Sequence, residues 1–354
     1  MMLRGRPALL AFAAVTAVYL LWYLGHLPLR VAYSTAGLDR LFPSALETQD
    51  TVELCKKFEW SVYPESPKRG RRRIYDLFLI NTETDWLEVR LGTMYDQVDY
   101  FVVVESNRTF TGKDKPLIVK DRWAEWAKFH KKMVYHQVQV PASFQPQSAW
   151  ETEGFMRNAL LDQAVEQLPA AKKPRLGDVL IVSDADEVPR PSTLEILRAC
   201  DIPVRVTLWS QFFYYSFQFR HRGTDWHAPH ATFYNGIDTV RPDDLRSGKA
   251  LDDVPQGGIG NSSWHCSSCF RTVKEFQTKL LSFSHTEYSG EKYRDPAWIA
   301  DHVRAGKDMY ERDSEIFDRV DDNADIPDHI ARHKDKFSYM VSRDGDSSGF
   351  ADYP

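Results

Sequence analysis

Three short apolar runs punctuate the first half of the chain, and each is followed by a more polar stretch with helical spacing. Ile74 to Ile80 reads IYDLFLI, Phe101 to Val104 reads FVVV and Val179 to Val182 reads VLIV. The unbroken FVVV and VLIV suit strands covered on both faces, the usual state of a parallel sheet, and IYDLFLI, with Asp76 inside it, is a strand candidate beside them. Between the first two, Trp86, Leu87, Leu91, Met94, Tyr95 and Val98 recur at helical intervals, predicting a helix over 84–98 with Thr84 as its N-cap. Met133 to Val140 predicts a further strand. Glu151 to Leu168, with Met156, Leu160, Ala164 and Leu168 spaced four apart, predicts a helix. Strand, helix, strand, extended segment, helix, strand is the plan of a doubly wound α/β sheet, mostly parallel.

The texture then changes. Val204 to Trp209 and Phe212 to Phe219 are aromatic and β-prone, whereas Ser247 to Ser263 is glycine-rich and loop-like. Lys274 to Ser284, Pro296 to Lys307 and Asp328 to Lys336 have helical character. The polar segment 343–354 reads as a disordered tail.

The N-terminus has another pattern. Pro7 to Leu29 contains no Asp, Glu, Lys or Arg. Ala8 to Leu24 as a helix is about 26 Å long, and the flanks to Leu29 extend it past a ~30 Å hydrocarbon layer. Arg4 and Arg6 precede it, so the positive-inside bias leaves 1–6 as a cytosolic tail and 7–29 as a single-pass signal anchor. A cleaved signal peptide is the rival, but Ser34-Thr35-Ala36 lies about ten residues past the apolar core, beyond the usual cleavage distance. Residues 30–72, with Pro43, Pro64, Pro67 and a basic run, read as a stem, and 73–342 as the luminal domain.

A net charge of −5 with 27% charged residues implies no basic face and no nucleic-acid partner. A luminal compartment permits disulfides. Cys55, Cys200, Cys266 and Cys269 allow three pairings, among which the sequence does not choose. Asn107-Arg108-Thr109 and Asn261-Ser262-Ser263 are glycosylation sequons.

The chemistry is concentrated after the third run, where Ser183 leads into Asp184-Ala185-Asp186-Glu187. Ligands of open α/β sheets bind beyond the carboxyl ends of strands. Three carboxylates in four residues repel one another unless solvated or bound to a cation. Asp184 and Asp186, at i and i+2 of an extended segment, point the same way and can share one ion. Hard oxygen donors suit Mn²⁺ or Mg²⁺. An exposed acidic turn is the plain alternative. A haloacid-dehalogenase-like phosphatase also fits D-x-D-x-V, but that pattern ends the first strand of its domain, and here two strand–helix units come before it.

Several segments together resemble glycosyltransferase family 17, whose animal member adds the bisecting N-acetylglucosamine of N-glycans. They are IYDLFLIN (74–81), FVVVESNRT (101–109), the helix carrying Arg157-Asn158, SDADEVP (183–189) and SWHCSSCF (263–270), with FSHTEY (283–288) as in fungal relatives. The resemblance implies a GT-A type, Rossmann-like fold, type II topology in the Golgi membrane, and Mn²⁺ (or Mg²⁺). It implies a UDP-N-acetylglucosamine donor, a glycan or glycoprotein acceptor and inversion at the anomeric carbon. By position, Asp186 would ligate the metal, with Asp184 on the metal or the ribose. Glu105 and Asn107 would meet the nucleotide, and Arg157 the diphosphate unless it merely pairs with Glu153. Glu287 would be the general base, with Asp252, Asp253 and Glu187 as rivals. His265 and His285 are candidate third metal ligands. Trp209, Trp226 and Trp264 could stack on sugars, Trp264 from a mobile glycine-flanked loop. The 212–253 stretch carries little that matches the animal enzyme, which leaves the acceptor open. A catalytically silent glycan-binding protein of the same fold is the competing reading.

Overall fold

Alternation of side chains along β1 (Ile74–Ile80), β2 (Tyr100–Glu105) and β4 (Val179–Asp184) explains why these runs sit at the centre of the molecule. Ile74, Phe78, Phe101, Val103 and Ile181 enter one core with Trp86, Leu87 and Leu91 of the helix Thr84–Met94. Tyr75, Leu77, Val102, Val104 and Val182 enter a second core with Met156, Leu160 and Ala164. Those three belong to the helix Ala149–Ala159 and its wider-wound continuation Leu160–Val165. Helices on both faces thus bury both sets, as near-continuous apolar strands require. In this computed structural model the described residues are 49–65, 70–249 and 251–354, all within the unit Leu46–Pro354.

Among the described residues ten strands form one sheet, eight of them in the order β10-β7-β6-β8-β4-β1-β2-β3 and two more, β9 and β5, branching from β6. β3 is Met133–Gln137, and β3, β2, β1 and β4 are all parallel. The register aligns Ile80 with Glu105 and Leu79 with Asp184, so the carboxyl ends of β2, β1 and β4 lie side by side. Beyond β4 the direction alternates. β8 (His230–Phe233) is antiparallel to β4 and to β6 (Arg205–Tyr214), and β7 (Ser216–His221) and β10 (Phe317–Arg319) continue antiparallel. The sheet is therefore mixed rather than mostly parallel.

The glycine-rich stretch predicted as loop is the other departure. Gln256–Ser267 is β9, a twelve-residue strand parallel to β6 and antiparallel to β5 (Glu187–Pro189). Two of its three glycines lie under large rings: a Cβ on Gly257 would come within 2.8 Å of Trp60, and one on Gly258 within 2.8 Å of Trp209. Glycine here is a packing requirement of a strand.

Several expected boundaries move. Glu83, not Thr84, precedes the first helix, and no side chain caps it. Ser148 caps the later helix by accepting from the Glu151 amide. Order begins before Arg73: the helix Gln49–Lys56 is tied by the Cys55–Cys200 disulfide, and Arg72 donates to the carbonyls of Gly177, Leu197 and Cys200. The second disulfide is Cys266–Cys269, and no free cysteine remains.

The segment 343–354, expected as a loose tail, is packed. Arg343 is fully buried and donates to the carbonyls of Tyr215 and Phe270. Phe350 joins an apolar cluster, and Asp352 accepts from the amides of Val273 and Lys274. Polar composition misled here because these side chains satisfy backbone groups that secondary structure leaves unpaired. The anchor expected at 7–29 lies outside the described residues. Among the described residues no helix is long and apolar enough to cross a membrane.

Candidate functional site

The acidic motif sits on a turn between two strands. β4 ends at Asp184, Ala185 and Asp186 form the turn, and β5 starts at Glu187 and pairs Glu187 with His265 of β9. The two aspartates are therefore not successive positions of an extended segment, and each meets different partners.

Beneath the turn lies a fully buried ion pair, Arg90 with Asp76, at 2.5 Å. The same guanidinium donates to the carbonyls of Asp184 (3.1 Å) and Glu187 (2.6 Å), and to the Ser183 hydroxyl. Arg90 thus uses a rigid donor fork to hold the backbone on both sides of the turn. Nothing in the local sequence marks Arg90, because a single arginine in a helix looks like surface, whereas this helix is buried on nearly every side.

Asp184 is clamped. Its Oδ1 accepts from Arg157 at 2.8 Å and its Oδ2 from Arg246 at 3.0 Å. Arg157 also binds Glu153, and Arg246 also binds Glu187 at 2.6 Å. Desolvation by the surrounding protein raises the Asp184 carboxyl, but the two arginines outweigh it and hold the group well below the usual carboxylate range. Arg157 is no surface ion pair, since its side chain is 5% exposed and bridges two carboxylates.

Asp186 is held more loosely. Its oxygens lie 3.7 Å from His265 Nε2 and 3.8 Å from Lys279 Nζ, beyond hydrogen-bond reach. Desolvation raises this carboxyl, while His265 and then Lys279 bring it below its ordinary value. The His265 ring stacks on Phe212 at 5.0 Å, and its Nδ1 is buried without a hydrogen-bond partner.

A divalent cation fits this donor set. The carboxylates are the donor type that suits Mn²⁺ or Mg²⁺, which commonly use one or two protein carboxylates and complete their shell with water and phosphate, and the His265 Nε2 faces Asp186 at 3.7 Å. Asp186 and His265 would be the holding residues. Asp184 would contribute through lone pairs its arginines leave free, its side chain being 42% exposed. Among the described residues no three His, Cys, Asp or Glu side chains form a full cage, so substrate oxygens would share the coordination.

Other expected site residues are placed elsewhere or already engaged. Glu105 is fully buried and accepts from the Val119 and Lys120 amides and the Tyr135 hydroxyl, with Lys115 at 3.5 Å. It organises the segment after β2 and presents no open oxygen to a nucleotide. Asn107 is exposed beside it, and its carbonyl accepts from the Lys115 amide. Trp264 corrects the mobile-loop expectation: it lies in β9, 6% exposed, its indole donating to Asp325 under the Arg190 guanidinium. Strand alternation turns it away from His265. Trp226 is the indole at the motif, 40% exposed, donating to Glu187 Oε1 at 2.7 Å and lying 4.8 Å from His265.

Glu187, fully buried and bound by Arg246 and Trp226, serves the architecture. His285 and Glu287 do not join the aspartates. They form an exposed pair at 2.8 Å beside Trp150, and His285 is spoken for by Glu287. That hydrogen bond holds the Glu287 carboxyl below its usual value. One thread links the two groups: the Ser284 hydroxyl donates to Glu153, which pairs with Arg157 and so with Asp184. Arg90, Arg246 and Lys279 are the site residues the sequence analysis missed, and only spatial proximity reveals them.

The model of glycosyltransferase family 17 matches residues 39–342 of this chain, nearly all of the described fold and every residue of the site. The chain belongs to glycosyltransferase family 17. Among curated proteins, the chain is similar to proteins named β-1,4-mannosyl-glycoprotein 4-β-N-acetylglucosaminyltransferase. The rat protein is 25% identical over 318 residues, covering 78% of this chain and 55% of its own length. The human protein is 24% identical, covering 78% and 56%. The chain spans about half the length of the curated relatives it matches. Among solved structures, a mannosyltransferase from Pyrobaculum calidifontis in complex with GDP-mannose and Mn²⁺ covers 72% of this chain and 69% of its own. Its identity is 12% and its TM-score 0.33, too slight a likeness to argue from.

Proposed function

We propose that this protein is an inverting, metal-dependent glycosyltransferase that moves N-acetylglucosamine from UDP-N-acetylglucosamine to a glycan, most simply the N-linked glycan of a glycoprotein, in β linkage. The observation that carries the reading is the pair Asp184 and Asp186 on a rigid turn at the end of a central parallel strand. Membership of the family and the named activity of its relatives support the donor and the linkage.

In such a transfer an acceptor hydroxyl oxygen attacks the anomeric carbon from the face opposite the nucleotide. The new glycosidic bond forms as the bond to the diphosphate oxygen breaks, and the diphosphate departs with the electron pair. A divalent cation, when bound, neutralises the charge that develops on that diphosphate. The chain's own residues do the rest. Arg90 and Arg246 fix the turn, Arg157 holds Asp184, and Asp186 with His265 presents the donor atoms. Glu287 takes the acceptor proton; it is exposed and ionised, and His285 beside it orients the carboxylate. Trp226 offers a ring for a sugar to stack on. Residues 7–29 anchor the protein in the Golgi membrane with 30–354 luminal.

The test uses the full-length protein in detergent, measuring UDP release with Mn²⁺ and a panel of defined glycans. Asp186→Ala should lower transfer by about a thousandfold with an unchanged circular dichroism spectrum. Near-normal transfer in that variant refutes the reading. Glu287→Gln should lower turnover while donor affinity stays put, and unchanged turnover removes Glu287 from the mechanism.

A further inference from the structure

Arg157 and Arg246 are each shared between two carboxylates and are 5% and 13% exposed, so neither has a free face for another anion. Lys279 differs from both. Its ammonium is 3.8 Å from Asp186 Oδ2 and 3.4 Å from Ser267 Oγ, and the side chain is 22% exposed. It is a full positive charge standing beside the carboxylate without a short hydrogen bond to it.

The stem is well placed for this. Lys279 projects from the helix Val273–Ser282, whose start is fixed by a capping box between Thr272 and Glu275. That helix is anchored by Val273, Phe276 and Leu280, and the Lys279 ammonium lies 5.5 Å from the Phe270 ring. A rigid base with a flexible four-carbon arm lets the charge move a few ångströms without disturbing the fold.

We infer that Lys279 makes metal binding at Asp186 conditional on the nucleotide: its ammonium opposes a bare divalent cation, and it swings onto the diphosphate when a nucleotide arrives. The inference rests on the transferase reading and adds the order of assembly to it. A cation near Asp186 repels an incoming Mn²⁺ and weakens its binding. A diphosphate brings negative charge, which turns the same ammonium into an attractive, charge-assisted donor. Removing the charge should therefore act in opposite directions on the two ligands, which loss of packing would not do. The linkage is reciprocal, so metal and nucleotide should each strengthen the other more in the native protein than in the uncharged variant.

The experiment measures Mn²⁺ affinity without nucleotide, and UDP and GDP affinity at saturating Mn²⁺, by calorimetry on the full-length protein in detergent. Lys279→Gln should bind Mn²⁺ alone severalfold to about tenfold tighter and bind UDP about tenfold weaker. Lys279→Arg, which keeps the charge, should restore nucleotide affinity and leave Mn²⁺ affinity near the native value. Lys279→Met keeps the stem's contacts and should repeat the glutamine result, which carries the test should the glutamine variant fold poorly. Equal or weaker Mn²⁺ binding in both uncharged variants, or undiminished UDP affinity, overturns the inference. Native protein that binds neither UDP nor GDP with Mn²⁺ sinks the transferase reading itself.

Discussion

The two halves of the sheet solve different problems. From β3 to β4 all strands are parallel, both faces are covered by helices, and side chains alternate strictly between two cores. From β8 outward the strands are antiparallel except where β9 runs parallel to β6, and they are crowded with rings: Phe212, Tyr214, Phe317, His221 and Trp226 contact one another in a continuous aromatic layer. The acidic turn stands at the seam, with β4 and Arg90 from the first half and β9, His265 and Lys279 from the second. Asp184 is clamped by two arginines within hydrogen-bond distance, Arg157 from before β4 and Arg246 from after β8, whereas Asp186 faces only His265 and Lys279 of the second half, each beyond that distance. A site of this kind needs both: fixed charges for placement and a looser shell for exchange.

Breaking the scaffold side should have the largest effect. Arg90→Leu leaves Asp76 buried without its partner and frees the carbonyls of Asp184 and Glu187. Breaking a buried pair in this way costs about 3–5 kcal/mol, read as a lowered midpoint in denaturant unfolding. A loss below 1 kcal/mol would mean that the turn is held by other means.

The lead-in to the parallel half offers a smaller lever. Cys55–Cys200 closes a loop of 145 residues, and replacing both cysteines with serine should destabilise by about 3 kcal/mol. Native metal and nucleotide affinity should persist at moderate temperature, since the disulfide contacts none of the acidic turn's partners. A collapse of affinity without unfolding would show that the lead-in shapes the site.

The smallest effect probes the joint between the halves. Glu88, on the helix Thr84–Met94, pairs with His329 at 3.4 Å and with Lys336. The His329 hydrogen bond is the main cause that brings its carboxyl down to about 2, against desolvation and with help from Lys336. Because the folded value lies below the unfolded one, this contact stabilises fully above about pH 4.5 and is lost as pH falls through about 2. Glu88→Gln should cost about 1 kcal/mol at neutral pH, given the partial exposure of the group. The difference from the native protein should vanish below about pH 2. A gap that is independent of pH would assign the loss to packing instead of charge.

The difference between the halves also explains what could be read in advance. IYDLFLI, FVVV and VLIV announced their strands because a doubly covered strand leaves little room for polar residues, and the one acid among them, Asp76, is buried only with Arg90 as its partner. Asp184 and Asp186 stood out because acids rarely follow such a run without a purpose. Gln256–Ser267 was hidden because its glycines imitate a loop, and only the rings of Trp60 and Trp209 show why Gly257 and Gly258 are there. Trp264 was misplaced with it. Glu105 sat at a strand end, as a nucleotide-binding acid would, but its backbone partners come from residues 119 and 120, which no local pattern joins to it.

By itself the sequence determined the alternating plan of the first half, the acidic strand end and the motifs that place the chain in its family, because each depends on residues adjacent or periodic along the chain. Only the tertiary structure decided which cations face each aspartate, that Arg90 lies under the turn and that Lys279 stands beside Asp186 without a short hydrogen bond to it. Those pairings join positions from 14 to 97 residues apart, and a guanidinium or ammonium finds its anion through the fold of the chain, not through its neighbours in sequence.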